Sequence, residues 1–135
     1  MEFFVYGKLT QSDLSQLQSE ARQQPQRLKF LIQLASRLPP MATELKQPEN
    51  EVQGCEAQVW LTKSWQNDQL QLQLDSSSRV VKGLLALVFL ALHGANKQQV
   101  ASFDLDALLA LLGLQSFVSS SRRNGLRAVV QAMTS

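Results

Sequence analysis

The run from Gly83 to Leu92 is the feature that most constrains the fold of this chain. From Leu84 onward it is apolar on every side of a helix. A membrane-spanning helix needs about 20 such residues, so this run is too short to cross a bilayer. A short helix that is apolar all round must be buried by other elements. We therefore predict a central core helix that ends at about Leu92 and is capped at its start by Asp75-Ser76-Ser77-Ser78.

Two stretches before the core helix carry the pattern of half-buried strands. Apolar residues occupy every second position from Ala57 to Leu61 and again from Leu70 to Leu74. A period of two is typical of strands with one buried face. Asn67-Asp68 supplies a turn between them, so the two stretches should form an antiparallel hairpin. Glu51-Val52-Gln53 should add a short third strand.

The remaining segments predict packing helices at both ends of the chain. A first helix can be capped by Thr10 or Ser12, and Pro25 suits the first turn of a second helix, which Pro39-Pro40 ends. Asp104 can cap a later helix that stops at Gly113. A last helix is expected from about Ser121 to Met133, with Ser119 or Ser120 as its cap. The pattern therefore predicts an α+β fold.

Composition narrows the class of protein. At 135 residues we expect one domain, covering residues 1–135. Apolar residues make up 44% and charged residues 18%, as in ordinary globular proteins. A formal net charge of +2 without blocks of like charge gives no electrostatic indication of nucleic-acid binding. The N-terminus lacks the pattern of a signal peptide, and one cysteine suits a reducing compartment, so we expect a cytoplasmic protein that does not bind membranes.

The only cysteine, Cys55, stands directly before the first predicted strand. A lone cysteine is by default a small buried hydrophobe. Its surroundings favour a reactive thiol instead, because Gly54 gives the backbone freedom and the polar stretch Gln47–Glu51 reads as a surface loop. The only histidine, His93, falls at the end of the core helix, where a cation would be favoured by the helix dipole. No second histidine or cysteine offers a metal site there.

Three short blocks around Cys55 resemble a known family. They are Val52-x-Gly54-Cys55-x-x-x-Val59-Trp60, Val80-Val81-Lys82-Gly83-Leu84 and Ser121-Arg122-x-Asn124-Gly125-Leu126. In this order and spacing they are similar to the SufE/CsdE family of sulfur acceptors, which assist cysteine desulfurases in iron–sulfur cluster assembly. The resemblance runs from about Gln26 to the C-terminus. The family usually has a second Asp where this chain has Ser77, so the effect of that change is open.

The resemblance implies both a fold and a function. The fold would be SufE/IscU-like, with a three-stranded antiparallel sheet packed against N-terminal and C-terminal helices. Cys55 would take sulfur as a persulfide from a SufS- or CsdA-like desulfurase, stimulate it, and pass the sulfur to a cluster-assembly scaffold or another acceptor, without a cofactor. Gly54, Glu56 and Arg122 would support the loop or dock the partner. A resting Cys55 should be turned inward, with Gln47–Gly54 everting when the desulfurase docks.

Other interpretations remain open at the level of sequence. An iron–sulfur scaffold is disfavoured because it needs several cysteine ligands. A non-catalytic adaptor of a desulfurase would suffice if Cys55 were merely buried. Arg122 and Arg123 lie in the first turn of the last helix, where the helix dipole disfavours cations. Either this is a solvated helix end, or Arg122 bonds a loop carbonyl or carboxylate and steadies Cys55. Lys82-Gly83 reads as a polar edge and a close-packing point rather than a phosphate site.

Overall fold

A computed structural model describes residues 4–134 of the chain. Within that range the chain forms six α-helices and one antiparallel hairpin, which confirms the α+β class. The elements in chain order are α1 (Gln11–Gln23), α2 (Arg27–Ala35), single-turn 3-10 helices at Thr43–Leu45 and Pro48–Asn50, β1 (Val59–Gln66), β2 (Gln69–Ser76), α3 (Arg79–Leu92), α4 (Lys97–Ser102), α5 (Leu105–Leu111) and α6 (Ser120–Thr134). No helix in the described part is long and apolar enough to cross a membrane.

The hairpin forms as the alternating pattern predicts. Val59 pairs with Ser76 at one end and Gln66 with Gln69 at the other. Asn67 and Asp68 take φ values of 53° and 61°, the left-handed conformation that a two-residue hairpin turn requires. The alternate residues Leu70, Leu72 and Leu74 are all buried. One face of β2 therefore belongs to the core.

The predicted third strand is wrong: the described residues hold a two-stranded sheet. Glu51 forms only an isolated bridge with Trp60, and the Val52 N–H donates to the Val59 carbonyl at 2.9 Å. The 3-10 turn Pro48–Asn50 precedes this bridge, and Gly54 at φ 97° redirects the chain just after it. The chain has no room between these two turns to extend the pairing. The short pairing nevertheless fixes the base of the Cys55 loop.

Helix α3 is the centre of the core, as its apolar run predicts. It begins at Arg79 after Ser78, whose hydroxyl accepts from the Val81 N–H, and ends at Leu92. It packs closely on α2 at Gly83, where an added Cβ would lie 2.2 Å from the Leu31 carbonyl oxygen. This contact confirms that Gly83 is a close-packing point.

The helix caps agree with the sequence in most places. Thr10, not Ser12, caps α1 in a capping box with Asp13. Pro25 lies one residue before the cap of α2, Gln26, and so falls outside the helix rather than in its first turn. The short helix α4 was not predicted; Asn96 caps it.

Candidate functional site

Cys55 lies on the loop between the Glu51 bridge and β1, and its side chain is half-buried. Gly54 beside it takes φ 97°, a conformation that residues with a Cβ rarely adopt. The Cys55 Sγ donates to the Gly125 carbonyl oxygen in α6 at 3.5 Å. The thiol of the loop is thus seated against the last helix.

Gly125 makes this seat possible. A Cβ at that position would lie 3.2 Å from Cys55 Sγ, 3.3 Å from Cys55 Cα and 3.4 Å from the Gly54 carbonyl oxygen. Sequence reasoning used Gly125 only as part of a motif and missed this contact. The available signal was a glycine inside a predicted helix, where it costs about 1 kcal/mol relative to alanine.

A cavity of about 210 Å³ opens beside the thiol. Its apolar lining comes from Val59, Val81, Leu84, Leu126 and Val129. Glu56, Ser78, Ser121 and Arg122 add polar groups to the lining. The cavity therefore joins the Cys55 loop to the first turns of α3 and α6.

Burial sets the protonation state of the thiol. Desolvation raises the pKa of Cys55 above its ordinary value. At neutral pH the resting side chain is therefore a thiol with a small thiolate fraction. Because the thiolate is the nucleophile, this seat keeps Cys55 weakly reactive.

The three other predicted site residues lie around Cys55 in different ways. Gly54 shapes the loop, while Glu56 is exposed and lines the cavity. Arg122 lines the same cavity and is partly buried. Within residues 4–134 its guanidinium makes no hydrogen bond or ion pair, so it does not bond a loop carbonyl or carboxylate in this conformation.

Asp75 anchors one end of the segment that carries Cys55. Its side chain is only 7% exposed and pairs with Lys46 Nζ at 2.5 Å and Lys82 Nζ at 3.3 Å. Burial alone would raise the pKa of Asp75, but hydrogen bonds from Lys46, the Ser76 N–H and Lys82 outweigh it and hold that pKa below its ordinary value. The carboxylate thus ties the chain before the loop to β2 and to α3.

Two serines anchor the other end of this segment. The Ser76 hydroxyl donates to the Gln58 carbonyl at 2.7 Å, and the Ser77 N–H donates to the same oxygen at 3.1 Å. The Gln58 N–H in turn donates to the Ser77 hydroxyl at 3.2 Å. Ser77 is therefore a hydrogen-bonding partner of the loop. Residues 75–77 hold the Cys55 segment at both Lys46 and Gln58.

His93 lies away from this site. Its Nδ1 accepts from the Leu72 N–H at 3.0 Å, and its ring stacks on Phe89. Desolvation, followed by the nearby charge of Lys8, lowers the pKa of His93. The ring is therefore neutral at pH 7 rather than the cation that its place at the helix end suggested. In the described part of the chain no cluster of three or more His, Cys, Asp or Glu side chains could hold a metal ion.

The fold and the site define an α+β domain that presents one half-buried thiol between a hairpin and a C-terminal helix. Residues 12–135 match the family model of SufE, the Fe-S metabolism associated domain. The chain therefore belongs to the SufE family, and its role lies in iron–sulfur metabolism. The fold is also similar to the solution structure of a hypothetical protein from Thermus thermophilus, with a TM-score of 0.69 and 19% identity over 90% of each chain.

Proposed function

We propose that Cys55 accepts persulfide sulfur from a cysteine desulfurase of the SufS or CsdA type and delivers it for iron–sulfur cluster assembly. The observation that carries this proposal is the seat of the chain's only thiol. Cys55 lies on a glycine-shaped loop, half-buried beside a cavity, where a partner can reach it after a local movement. Membership of a family with a role in iron–sulfur metabolism supports the same function.

The proposed chemistry is a thiolate displacement at sulfur. Cys55 loses its proton, and its thiolate attacks the outer sulfur of the desulfurase persulfide. A new S–S bond forms to Cys55 as the S–S bond on the desulfurase breaks, and the desulfurase cysteine leaves as a thiolate. No electrons are gained or lost overall, so the step needs no redox cofactor. A second thiolate on the acceptor, such as a cluster-assembly scaffold, can remove the sulfur by the same reaction.

The hydrogen bonds of the loop support a movement of only one part of it. Residues 47–52 are held by the 3-10 turn, by the Asn50 side-chain bond to the Leu45 carbonyl at 2.8 Å and by the Val52 bond to Val59. Residues 53–57 make, within the described chain, one side-chain hydrogen bond, from Cys55 to Gly125, and Cys55 and Ala57 are only partly buried against the core. We therefore infer that the everting segment is residues 53–57, shorter than the Gln47–Gly54 segment that the sequence suggested.

Eversion would also activate the thiol. Burial raises the pKa of Cys55 at rest, so moving the side chain into water or against a cationic partner group would lower that pKa and raise the thiolate fraction. In this scheme, docking of the desulfurase therefore increases the reactivity of Cys55. The resting seat then protects a carried persulfide from stray thiols, and we expect the reaction in the reducing cytoplasm.

The half-buried, hydrogen-bonded thiol also favours a second candidate, a desulfurase adaptor in which Cys55 never carries sulfur. Stimulation of a desulfurase by variants separates the two functions. Cys55→Ser should fold normally but fail to stimulate sulfide release from cysteine, because a hydroxyl cannot hold transferable sulfur. Adding Ser64→Cys, on the exposed part of β1, restores a thiol at the wrong place and should not restore stimulation. Full stimulation by Cys55→Ser would favour the adaptor.

A further inference from the structure

Three arginines stand at the starts of the two helices that meet at the Cys55 cavity. Arg79 is the first residue of α3 and follows Ser78, which lines the cavity. Arg122 and Arg123 lie in the first turn of α6, where Ser121 and Arg122 line the cavity. We call Arg79, Arg122 and Arg123 the arginine surface.

The arginine surface is unpaired in the free protein. Within residues 4–134 none of its three side chains forms an ion pair or a hydrogen bond. The chain pairs arginines elsewhere: Arg37 with Glu20 at 2.5 Å and Arg127 with Asp106 at 2.7 Å. Within residues 4–134 Arg22 also lacks such a partner, but it lies in the last turn of α1, where the helix dipole favours a cation.

The position of these charges is unfavourable in isolation. The N-terminus of a helix carries a partial positive charge, so a cation in the first turn is repelled by it. The first turns of α3 and α6 contain no acidic residue to offset this repulsion. Three guanidinium groups and two helix N-termini therefore place positive charge at the helix starts that border the Cys55 cavity. Glu56 is the one carboxylate in the cavity lining.

We propose that the arginine surface docks an acidic surface of the protein that delivers sulfur to Cys55. Carboxylates of that partner would compensate both the guanidinium charges and the helix N-termini, and planar guanidinium groups bind carboxylates in bidentate geometry. Such complementarity accelerates encounter and fixes the register of the complex, here with Cys55 at its centre. This inference rests on the proposed function for the identity of the partner and adds the chemistry that recognises it.

The test measures binding to a desulfurase whose catalytic cysteine has been replaced, so that no sulfur is transferred. Arg79→Glu with Arg123→Glu leaves the cavity lining intact and reverses two charges of the arginine surface. At low salt this variant should bind at least about tenfold more weakly, and its affinity should depend less on salt than that of the unchanged protein. The control is Lys29→Glu, an exposed charge reversal on α2, which should bind within about twofold of the unchanged protein.

The same variant should also change stability, and in the opposite direction to binding. Glutamates at helix starts are favourable, so Arg79→Glu with Arg123→Glu should unfold at a higher denaturant concentration than the unchanged protein. Weaker binding in a more stable protein cannot come from damage to the fold. Unchanged desulfurase binding, or an equal loss in Lys29→Glu, would overturn the proposal. If binding depends on the arginine surface but Cys55 gains no sulfur from the intact desulfurase supplied with free cysteine, the proposed function fails and the docking surface stands.

Discussion

The Cys55 Sγ and the Gly125 carbonyl oxygen lie 3.5 Å apart, although 70 positions separate the two residues in the sequence. This contact places the loop thiol against α6. The contact requires a glycine at position 125, because a Cβ there would lie 3.2 Å from the sulfur. The last helix therefore sets how deeply the thiol is buried.

Gly125→Ala should displace the Cys55 thiol from its contact with α6 without unfolding the protein. The exposed loop can retreat by a few tenths of an ångström, and alanine favours the helix by about 1 kcal/mol over glycine, so the free energy of unfolding should change by less than about 1 kcal/mol. Cys55 should then react faster with iodoacetamide. Denaturant unfolding and the alkylation rate check the two expectations.

Gly83→Ala is the matched control for this glycine. Its Cβ would meet the Leu31 carbonyl oxygen at 2.2 Å, and backbone in the core cannot retreat. We expect a loss of about 1–3 kcal/mol or more. If both alanine variants had the same stability, the distinction between the loop contact and the core contact would be wrong.

Asp75→Asn should destabilise the protein in a pH-dependent way. The pKa of Asp75 is held below its ordinary value, so its ionic contribution is present above the unfolded-state pKa near 3.8 and is lost as pH falls through the lower folded-state pKa. The loss should be about 1–3 kcal/mol at pH 7, since the two lysines stay partly solvated, and should shrink below about pH 4. Urea unfolding across this pH range measures it.

Asp106→Asn controls for the loss of any carboxylate. Its ion pair with Arg127 is exposed on both sides, so the variant should lose less than about 1 kcal/mol at pH 7. Asp75→Asn should in addition speed Cys55 alkylation, because Asp75 anchors the loop segment, whereas Asp106→Asn should not. Equal alkylation rates would contradict the anchoring role.

The pH profile of Cys55 alkylation tests whether the thiol is buried against α6 in the free protein. Burial raises the pKa of Cys55, so the free protein should react more slowly at pH 7 than an exposed thiol, and its rate should rise at higher pH. The comparison thiol is Ser64→Cys in a Cys55→Ser background. A desulfurase without its catalytic cysteine should accelerate the labelling of Cys55 alone. If the free protein were labelled at the rate of the exposed control, the half-buried resting position of Cys55 would be wrong.

The elements that sequence predicted well have strong local signals. The all-apolar run defined α3, and the period of two with Asn67-Asp68 defined the hairpin. The third strand failed because Glu51 and Val52 lie between two turns, and pairing there depends on chain geometry rather than on pattern. Helix α4 has six residues with Val100 alone buried, which is too short for a helical period to show.

The candidate site was predictable only in part. Cys55 and Arg122 could be singled out, and the structure brings both to one cavity. The contact with Gly125 and the ion pairs of Asp75 with Lys46 and Lys82 join distant positions, and no local pattern marks such pairs. The neutral state of His93 likewise follows from its burial against β2, which its position at a helix end did not reveal.

The most direct measurement is the intact mass of the protein after incubation with a cysteine desulfurase and free cysteine. We predict a gain equal to one sulfur atom, located on Cys55 by peptide mapping, removed by a reducing agent and absent in Cys55→Ser. An unchanged mass, in a protein that still stimulates the desulfurase, would contradict sulfur acceptance by Cys55.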